Sequence, residues 1–558
     1  MPTPSSPAPK ILKLPIGLKA KGERKEFDSL GTVMVPANRY WGAQTQRSLV
    51  HFNIGNDRMP HEVYHAYGYV KKAAAIVNTK QGRLPQWKGK LIQQVCDEVI
   101  SGQLDEDFPL YVWQTGSGTH SNMNVNEVVS NRCIQLVGGK LGSQEPIHPN
   151  DHLNMGQSSN DTFPTALHIA AYTMATTKTI PALKRLEKAL EKKSREWSSV
   201  VKIGRTHLED ATPLTVGQEW SGYAAALADA IVDVEHATEG LLRLAIGGTA
   251  VGTGLNSPVG FGDEVAAVIA KLTGYKFQTA ENKFAAQGTL DRMVRAHAGL
   301  KSASVTLFKI ANDMRWLGSG PRTGLMELIL PSNEPGSSIM PGKVNPTQAE
   351  AMLMVCIQIM SSDVAVQMGG AEGNFELNTF RPVLINNYLH SALIMADMCD
   401  RFREFMIEGA QLNRPKIKEN IDKSVMLVTA LSPIIGYDKA SVISHYAIDN
   451  DLTLREAALR NGVSQELYDR VVVPINMTHP DGAKSKSKSK SKSKSKLAAK
   501  LPVKKYAAKK KTARRWTSHY VVSPRLLPKS ETATSSLHVR APKIGCADYS
   551  QSSSAPTG

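Results

Sequence analysis

Residues 336–350 read Gly-Ser-Ser-Ile-Met-Pro-Gly-Lys-Val-Asn-Pro-Thr-Gln-Ala-Glu, and the rest of the chain is best read outward from them. Gly336 and Gly342 allow backbone conformations that other residues resist, so the Ser337-Ser338 segment can move over a ligand. Pro341 and Pro346 limit how the loop enters and leaves, and Pro346 suits the first turn of a following helix. Lys343 and Asn345 are then expected where a helix starts, beside free backbone N–H groups. That place favours anions.

Three other segments carry polar groups of the same kind. Thr115–Asn126 reads TGSGTHSNMNVN, in which Ser117 and Thr119 flank Gly118 and offer hydroxyl and backbone donors to a carboxylate. Gln157–Thr165 reads QSSNDTFPT. Its Ser158, Ser159 and Asn160 are either ligand donors or, with Asp161-Thr162, only the cap of the helix that follows. Gly204–Pro213, GRTHLEDATP, contains one histidine, His207, and a lone histidine is more often a packed or surface residue than a catalyst.

Composition bounds the class. A chain of 558 residues is expected to form two or three cores, and 41% hydrophobic with 21% charged residues is ordinary for a globular protein. The net charge of +17 invites a nucleic-acid reading, but its distribution argues against that for the body. Of 67 Lys/Arg and 50 Asp/Glu, 19 and 3 fall in residues 481–558, which leaves 48 against 47 before them. The five cysteines, Cys96, Cys133, Cys356, Cys399 and Cys546, form no CxxC pair. That argues against a zinc ribbon, an iron–sulfur run or a disulfide framework, and favours a reduced compartment such as the cytoplasm, or the mitochondrion if the source is eukaryotic. No run of about 18 apolar residues occurs, so no membrane span is expected.

Along the chain, apolar residues recur at spacings of three and four from Pro60 to Ile100, and again over Thr162–Thr177, Ile180–Ser198, Thr215–Ala245 and Arg292–Trp316. Few segments read as strands, so the fold class is all-α, built on a long helical bundle. Residues 424–476 again read helical, with breaks at Pro433, Asn450-Asp451 and Gly462. The first 22 residues are rich in Pro, Ser and Lys and lack acids; a disordered leader is expected, since five prolines make a poor amphipathic transit helix. From position 481 the composition changes sharply, with Lys and Ser alternating over 484–496 and KKYAAKKKTARR at 504–515. This tail cannot bury enough apolar surface to fold. It reads as a solvated segment, a nuclear-localisation-like run or a weak polyanion-binding arm.

Taken together, the four polar segments closely resemble the signatures of the fumarase/aspartase superfamily, and Gly342-Lys-Val-Asn-Pro-Thr-Gln resembles the class II fumarase version. Aspartases usually carry Ala at that glycine and Gln at the position of His207, so the alternative of an aspartate ammonia-lyase is disfavoured. The resemblance covers roughly residues 23–480. It implies three domains, at 23–158, 159–415 and 416–480, after a leader (1–22) and before the tail (481–558). It also implies a homotetramer with a twenty-helix core, in which three subunits contribute to each site.

The activity implied is the reversible hydration of fumarate to (S)-malate, the step of the tricarboxylic acid cycle, through an aci-carboxylate. That intermediate needs fixed donors and positive charge. By resemblance Ser337 is the base candidate, His207 the acid acting on the departing hydroxyl or an intervening water, and Glu350 the partner that orients His207; the sequence leaves open which of Ser337 and His207 takes the carbon-bound proton. Ser117, Gly118, Thr119, Ser158, Ser159, Asn160, Thr206, Ser338, Lys343, Val344 and Asn345 are expected to hold the dicarboxylate. His148-Pro149-Asn150-Asp151 matches a segment assigned to a second dicarboxylate site, although Glu145 stands where many fumarases have a basic residue. No cofactor or metal is required for this chemistry. From a different class, a nucleic-acid-associated protein finds support only in the tail.

Overall fold

The computed structural model describes residues 8–481. Strands β1 (Glu23–Asp28) and β2 (Gly31–Pro36) form a hairpin, paired from Glu23 with Pro36 to Asp28 with Gly31. Helices α1 (Ala43–His51), α2 (His61–Lys80), α3 (Gln86–Ile100) and α4 (Thr119–Leu136) follow. Helix α2 buries Val63, Tyr67, Val70, Ala74 and Val77, the three–four spacing read from the sequence, and α4 is buried almost all round.

The chain before β1 departs from the disordered leader expected of it. Residues 8–22 form no helix and no strand before Glu23, yet Leu12 N–H bonds Leu136 O at 2.8 Å and Gly17 N–H bonds the Tyr40 hydroxyl at 3.0 Å. The cause is Arg132. Its buried guanidinium is held by Glu98 at 2.8 and 3.0 Å, and its remaining N–H groups need the carbonyls of Leu14 and Pro15, at 3.0 and 3.1 Å. Residues 1–7, and the tail from 482 on, lie outside the described residues.

The expected bundle is present. Helix α5 (Ser159–Met174) runs through a wide π turn, Ala175–Thr179, into α6 (Ile180–Glu196). The sequence suggests two helices there, but the wide turn lies where Pro181 would otherwise strain against the carbonyl four residues back, so the rod continues. After α6 comes a second hairpin, β3 (Val201–Thr206) and β4 (Glu209–Thr215), then α7 (Val216–Glu239), opened by a Thr215/Gln218 capping box. Shorter α8 (Phe261–Thr273) and α9 (Lys283–Gly288) precede the long α10 (Asp291–Leu317), α11 (Thr347–Ala371) and α12 (Arg381–Phe402).

One apolar core runs from Val35 to Ile417 through both the first lobe and the bundle. Inside it His297 of α10 bonds Asp363 of α11 at 2.9 Å and Ser391 of α12 at 3.0 Å, a polar pin through three helices. Helix α11 is long and apolar enough to cross a membrane by length and composition alone. The buried Asp363, paired with His297 and Lys301, is the signature of a bundle helix instead. Its outer face nevertheless exposes Met354, Ile357, Val364 and Met368, each more than half accessible.

The C-terminal lobe, α13 (Arg414–Lys423), α14 (Ser432–Ile435), α15 (Tyr437–Asp449), α16 (Leu454–Arg460) and α17 (Gln465–Val471), has a second, small core. Leu427, Leu431, Ile443, Leu454 and Val463 surround Ile203 of β3, so this lobe packs on the hairpin that carries the GRTH motif.

Candidate active site

Two helix N-termini lie side by side. Gly118 caps α4 with φ 82°, and a Cβ there would fall 2.1 Å from the Phe163 ring of α5, so only glycine lets the two helices meet this closely. Ser158 caps α5: its hydroxyl accepts from Asn160 N–H at 3.2 Å, and the Asp161 carboxylate accepts from Ser158 N–H at 2.9 Å. Ser158 thus caps α5. Across the junction the Ser117, Thr119 and Ser159 hydroxyls form a chain, at 2.8 Å from Ser117 to Thr119 and 2.7 Å from Thr119 to Ser159. Partly exposed hydroxyls on two adjoining helix N-termini are a ready anion cradle.

Beneath this cradle Asp161 also accepts from Gly247 and Thr249 N–H, at 3.0 and 2.9 Å, and Asn160 donates to Ala250 O at 2.8 Å. Burial pushes the Asp161 carboxyl up to about 6 against those N–H groups. Lys71 reaches up from α2 to the side-chain oxygens of Asn122, Asn154 and Gln157, at 2.7, 3.1 and 3.1 Å. Arg381, the first residue of α12, donates to Ser117 O at 3.3 Å and Gln287 O at 2.7 Å. Neither cation was singled out from the sequence. For Lys71 a signal exists, since it shares a buried stripe with Tyr64, Tyr67 and Ala74; for Arg381 there is none.

The GRTH segment forms a β-hairpin, which its sequence did not suggest. Thr206 pairs with Glu209, and the two turn residues, His207 and Leu208, have φ of 59° and 65°. Such turns favour Asn-Gly, so a His-Leu pair stores strain, of order 1–3 kcal/mol per residue. The turn leaves Thr206 and His207 at an exposed tip. The register shifts between Ile203 and Arg205, where a Cβ on Gly204 would lie 2.7 Å from Thr212 O.

That shift lets Lys202 and Arg205, three apart, meet one carboxylate. Glu327 accepts from Arg205 at 2.8 and 3.0 Å, from Asn420 at 2.8 Å, and pairs with Lys202 at 3.1 Å. Burial alone would raise its pKa, but the Arg205 and Lys202 charges outweigh burial and hold it below the usual range. Glu327→Gln is expected to destabilise the protein by about 3–5 kcal/mol, because it leaves the mostly buried Arg205 without its bonded counter-charge and Lys202 with Glu219 alone. With a depressed folded pKa, the wild-type advantage is present above the ordinary glutamate value of 4.5 and is lost as pH falls through the folded value. Thermal unfolding of both proteins at pH 7 and near pH 3 checks this; equal midpoints at pH 7 would refute it.

The loop of residues 336–345 closes on itself. Gly336 N–H bonds Lys343 O at 2.9 Å and Asn345 donates to Gly336 O at 2.6 Å. A Cβ on Gly336 would lie 2.3 Å from Lys343 O, which explains that glycine. Ser337 Oγ accepts N–H bonds from Met340 at 3.1 Å and Ile339 at 3.3 Å. Ser338, Lys343 and Val344 are exposed, and α11 starts at Thr347, placing Glu350 in its first turn, also exposed. Within one chain, among the described residues, no hydrogen bond or ion pair joins His207 to Glu350, or either of them to the hydroxyl cradle.

The second-site segment lies elsewhere. His148 Nδ1 accepts from Asn150 and Asp151 N–H, both at 3.2 Å, and His148 N–H donates to His152 at 2.7 Å. His148, Pro149 and Asn150 border a cavity of about 350 Å³ whose other walls include Glu26, Asp28 and Glu127. Arg24 and Arg47 are already bound to Glu26 and Asp28, and burial pushes Glu127 up to about 7. The cavity thus presents carboxyl groups to a would-be dicarboxylate.

Comparison with known proteins agrees with this layout. A family model described as a lyase matches residues 31–361, and one described as the fumarase C C-terminus matches residues 427–479. A class II fumarate hydratase of Methanosarcina acetivorans is 65% identical over 470 residues, 84% of this chain and 97% of that protein. One from Thermosynechococcus vestitus is 55% identical over 450 residues, 80% and 96% of the two chains. The crystal structure of a recombinant class II fumarase from Schistosoma mansoni superposes with a TM-score of 0.80 at 43% identity, covering 82% of this chain and all of that one. With its bundle, its C-terminal lobe and its polar motifs matched together, the chain belongs to the class II fumarate hydratase family.

Proposed function

We propose that this enzyme hydrates fumarate reversibly to (S)-malate, as a step of the tricarboxylic acid cycle. The observation that carries the reading is the hydroxyl chain Ser117–Thr119–Ser159 on two adjoining helix N-termini, a cradle suited to a carboxylate. Ser158, Asn160, Gly118, Thr206, Ser338, Lys343, Val344 and Asn345 complete the substrate contacts on this reading. In the dehydration of malate to fumarate Ser337 removes the C3 proton, and two backbone N–H groups on its Oγ favour the alkoxide it needs. His207 protonates the departing C2 hydroxyl, with Glu350 as its orienting carboxylate. Lys343 and the helix ends stabilise the doubly charged aci-carboxylate between the two steps.

The working form on this reading is a homotetramer, with each site drawn from three subunits. The apolar outer face of α11 supports it, as does the lack, among the described residues, of any bond between His207 and the cradle within one chain. The three-domain division, 23–158, 159–415 and 416–480, and a cytoplasmic location are parts of the same proposal, as is weak polyanion binding by residues 481–558. Adding malate to purified protein should raise the fumarate absorbance band, while aspartate should not. A response to aspartate alone would assign the chain to the ammonia-lyases instead.

A further inference from the structure

Two cations are sealed beneath the hydroxyl cradle, and among the described residues no carboxylate is bonded to either. Lys71 is 1% exposed, and its three N–H bonds are matched by three amide oxygens, those of Asn122, Asn154 and Gln157. Arg381 is 0% exposed and donates only to the carbonyls of Ser117 and Gln287, while its Nε has no partner among the described residues. Taking a cation out of water is costly, and proteins ordinarily compensate it with a bonded acid. Arg132, Lys202 and Arg205 in this same chain are compensated in that way.

Among the described residues, the one carboxylate whose charge acts on both is Asp161. Its oxygens are taken by the N–H groups of Ser158, Gly247 and Thr249. Burial lowers Lys71 to about 7 and Arg381 to about 10, so up to two positive charges face a single negative one, and an added anion would favour the charged form of both. Both cations bond directly to cradle segments: Gln157 adjoins Ser158, Asn122 lies one turn past Thr119, and Arg381 holds Ser117 itself.

We infer that Lys71 and Arg381 form a fixed positive floor under the site, whose missing counter-charge is the substrate, and that they set its preference for a dianion over a monoanion. The inference rests on the fumarate reading and adds two positioning residues to it. The ammonium, having donors only, turns all three amide oxygens toward itself and so fixes the Asn122, Asn154 and Gln157 side chains. Its charge also acts across a dry interior, where screening is weak.

The test uses succinate and butyrate, unreactive di- and monocarboxylates of equal chain length, as competitive inhibitors of the full-length enzyme. A lost unit charge acts twice as strongly on a dianion as on a monoanion. The fold-loss for succinate should thus be roughly the square of that for butyrate, for example about thirtyfold against about fivefold for one charge at an effective dielectric near 20. Arg381→Gln and Lys71→Met should show this fall in selectivity. Asn154→Ala, which keeps the charge and breaks part of its tripod, should weaken both inhibitors alike. Should Lys71→Met fail to fold, Arg381→Gln against Arg381→Lys decides, since only the former removes charge. Equal losses for succinate and butyrate in the charge-removing variants would overturn the inference. Absence of fumarate hydration by the unmutated enzyme would overturn the functional reading instead, a result distinguishable from the first.

Discussion

His207→Asn is expected to lower the turnover of fumarate by about 10²–10⁴, the usual contribution of a positioned acid or base, while the fold stays intact. The hairpin makes this substitution unusually clean. His207 holds a left-handed conformation at φ 59°, and asparagine is among the residues that adopt it most readily. The variant should therefore unfold at the same temperature as the wild type or slightly higher. Loss of activity could not then be blamed on a disturbed turn. Steady-state kinetics with thermal unfolding on the same preparation checks both halves. A folded variant with near-normal kcat would remove His207 from the mechanism.

Ser337→Ala is expected to bring a loss of similar size, about 10²–10⁴ in kcat, with dicarboxylate binding retained. The Ser337 hydroxyl accepts two N–H groups of its own loop, and on removal those groups can turn to water because the loop lies at the surface. The loop base does not depend on the hydroxyl, since Gly336 and Asn345 close it independently. The affinity for succinate should change little, because the cradle and Lys343 remain. If binding collapses while the rate at saturation survives, Ser337 is a ligand and not the base.

The helices were legible because burial on one face writes a three–four period into the sequence, as in Leu183, Leu186 and Leu190 of α6. The GRTH hairpin was not. Its turn carries His-Leu where Asn-Gly would have announced it, and the shift at Gly204 breaks the alternation that marks a strand. The docked segment before β1 was hidden for another reason. Its order depends on Arg132, more than a hundred residues away, which no local pattern reveals.

By itself the sequence determined the helical class, the kinds of polar group available and the four motifs that hold them, since these follow from local spacing and residue chemistry. It showed that Ser117, Thr119 and Ser159 are candidates. Only packing of α4 against α5 across the Gly118–Phe163 contact brings their hydroxyls within 2.8 Å. Tertiary structure alone decided that Glu327 gathers Lys202 and Arg205, and that Lys71 and Arg381 lie buried without a bonded acid among the described residues. The physical reason is that the energy of a buried charge is set by what surrounds it in space, and those neighbours lie tens to hundreds of residues away along the chain.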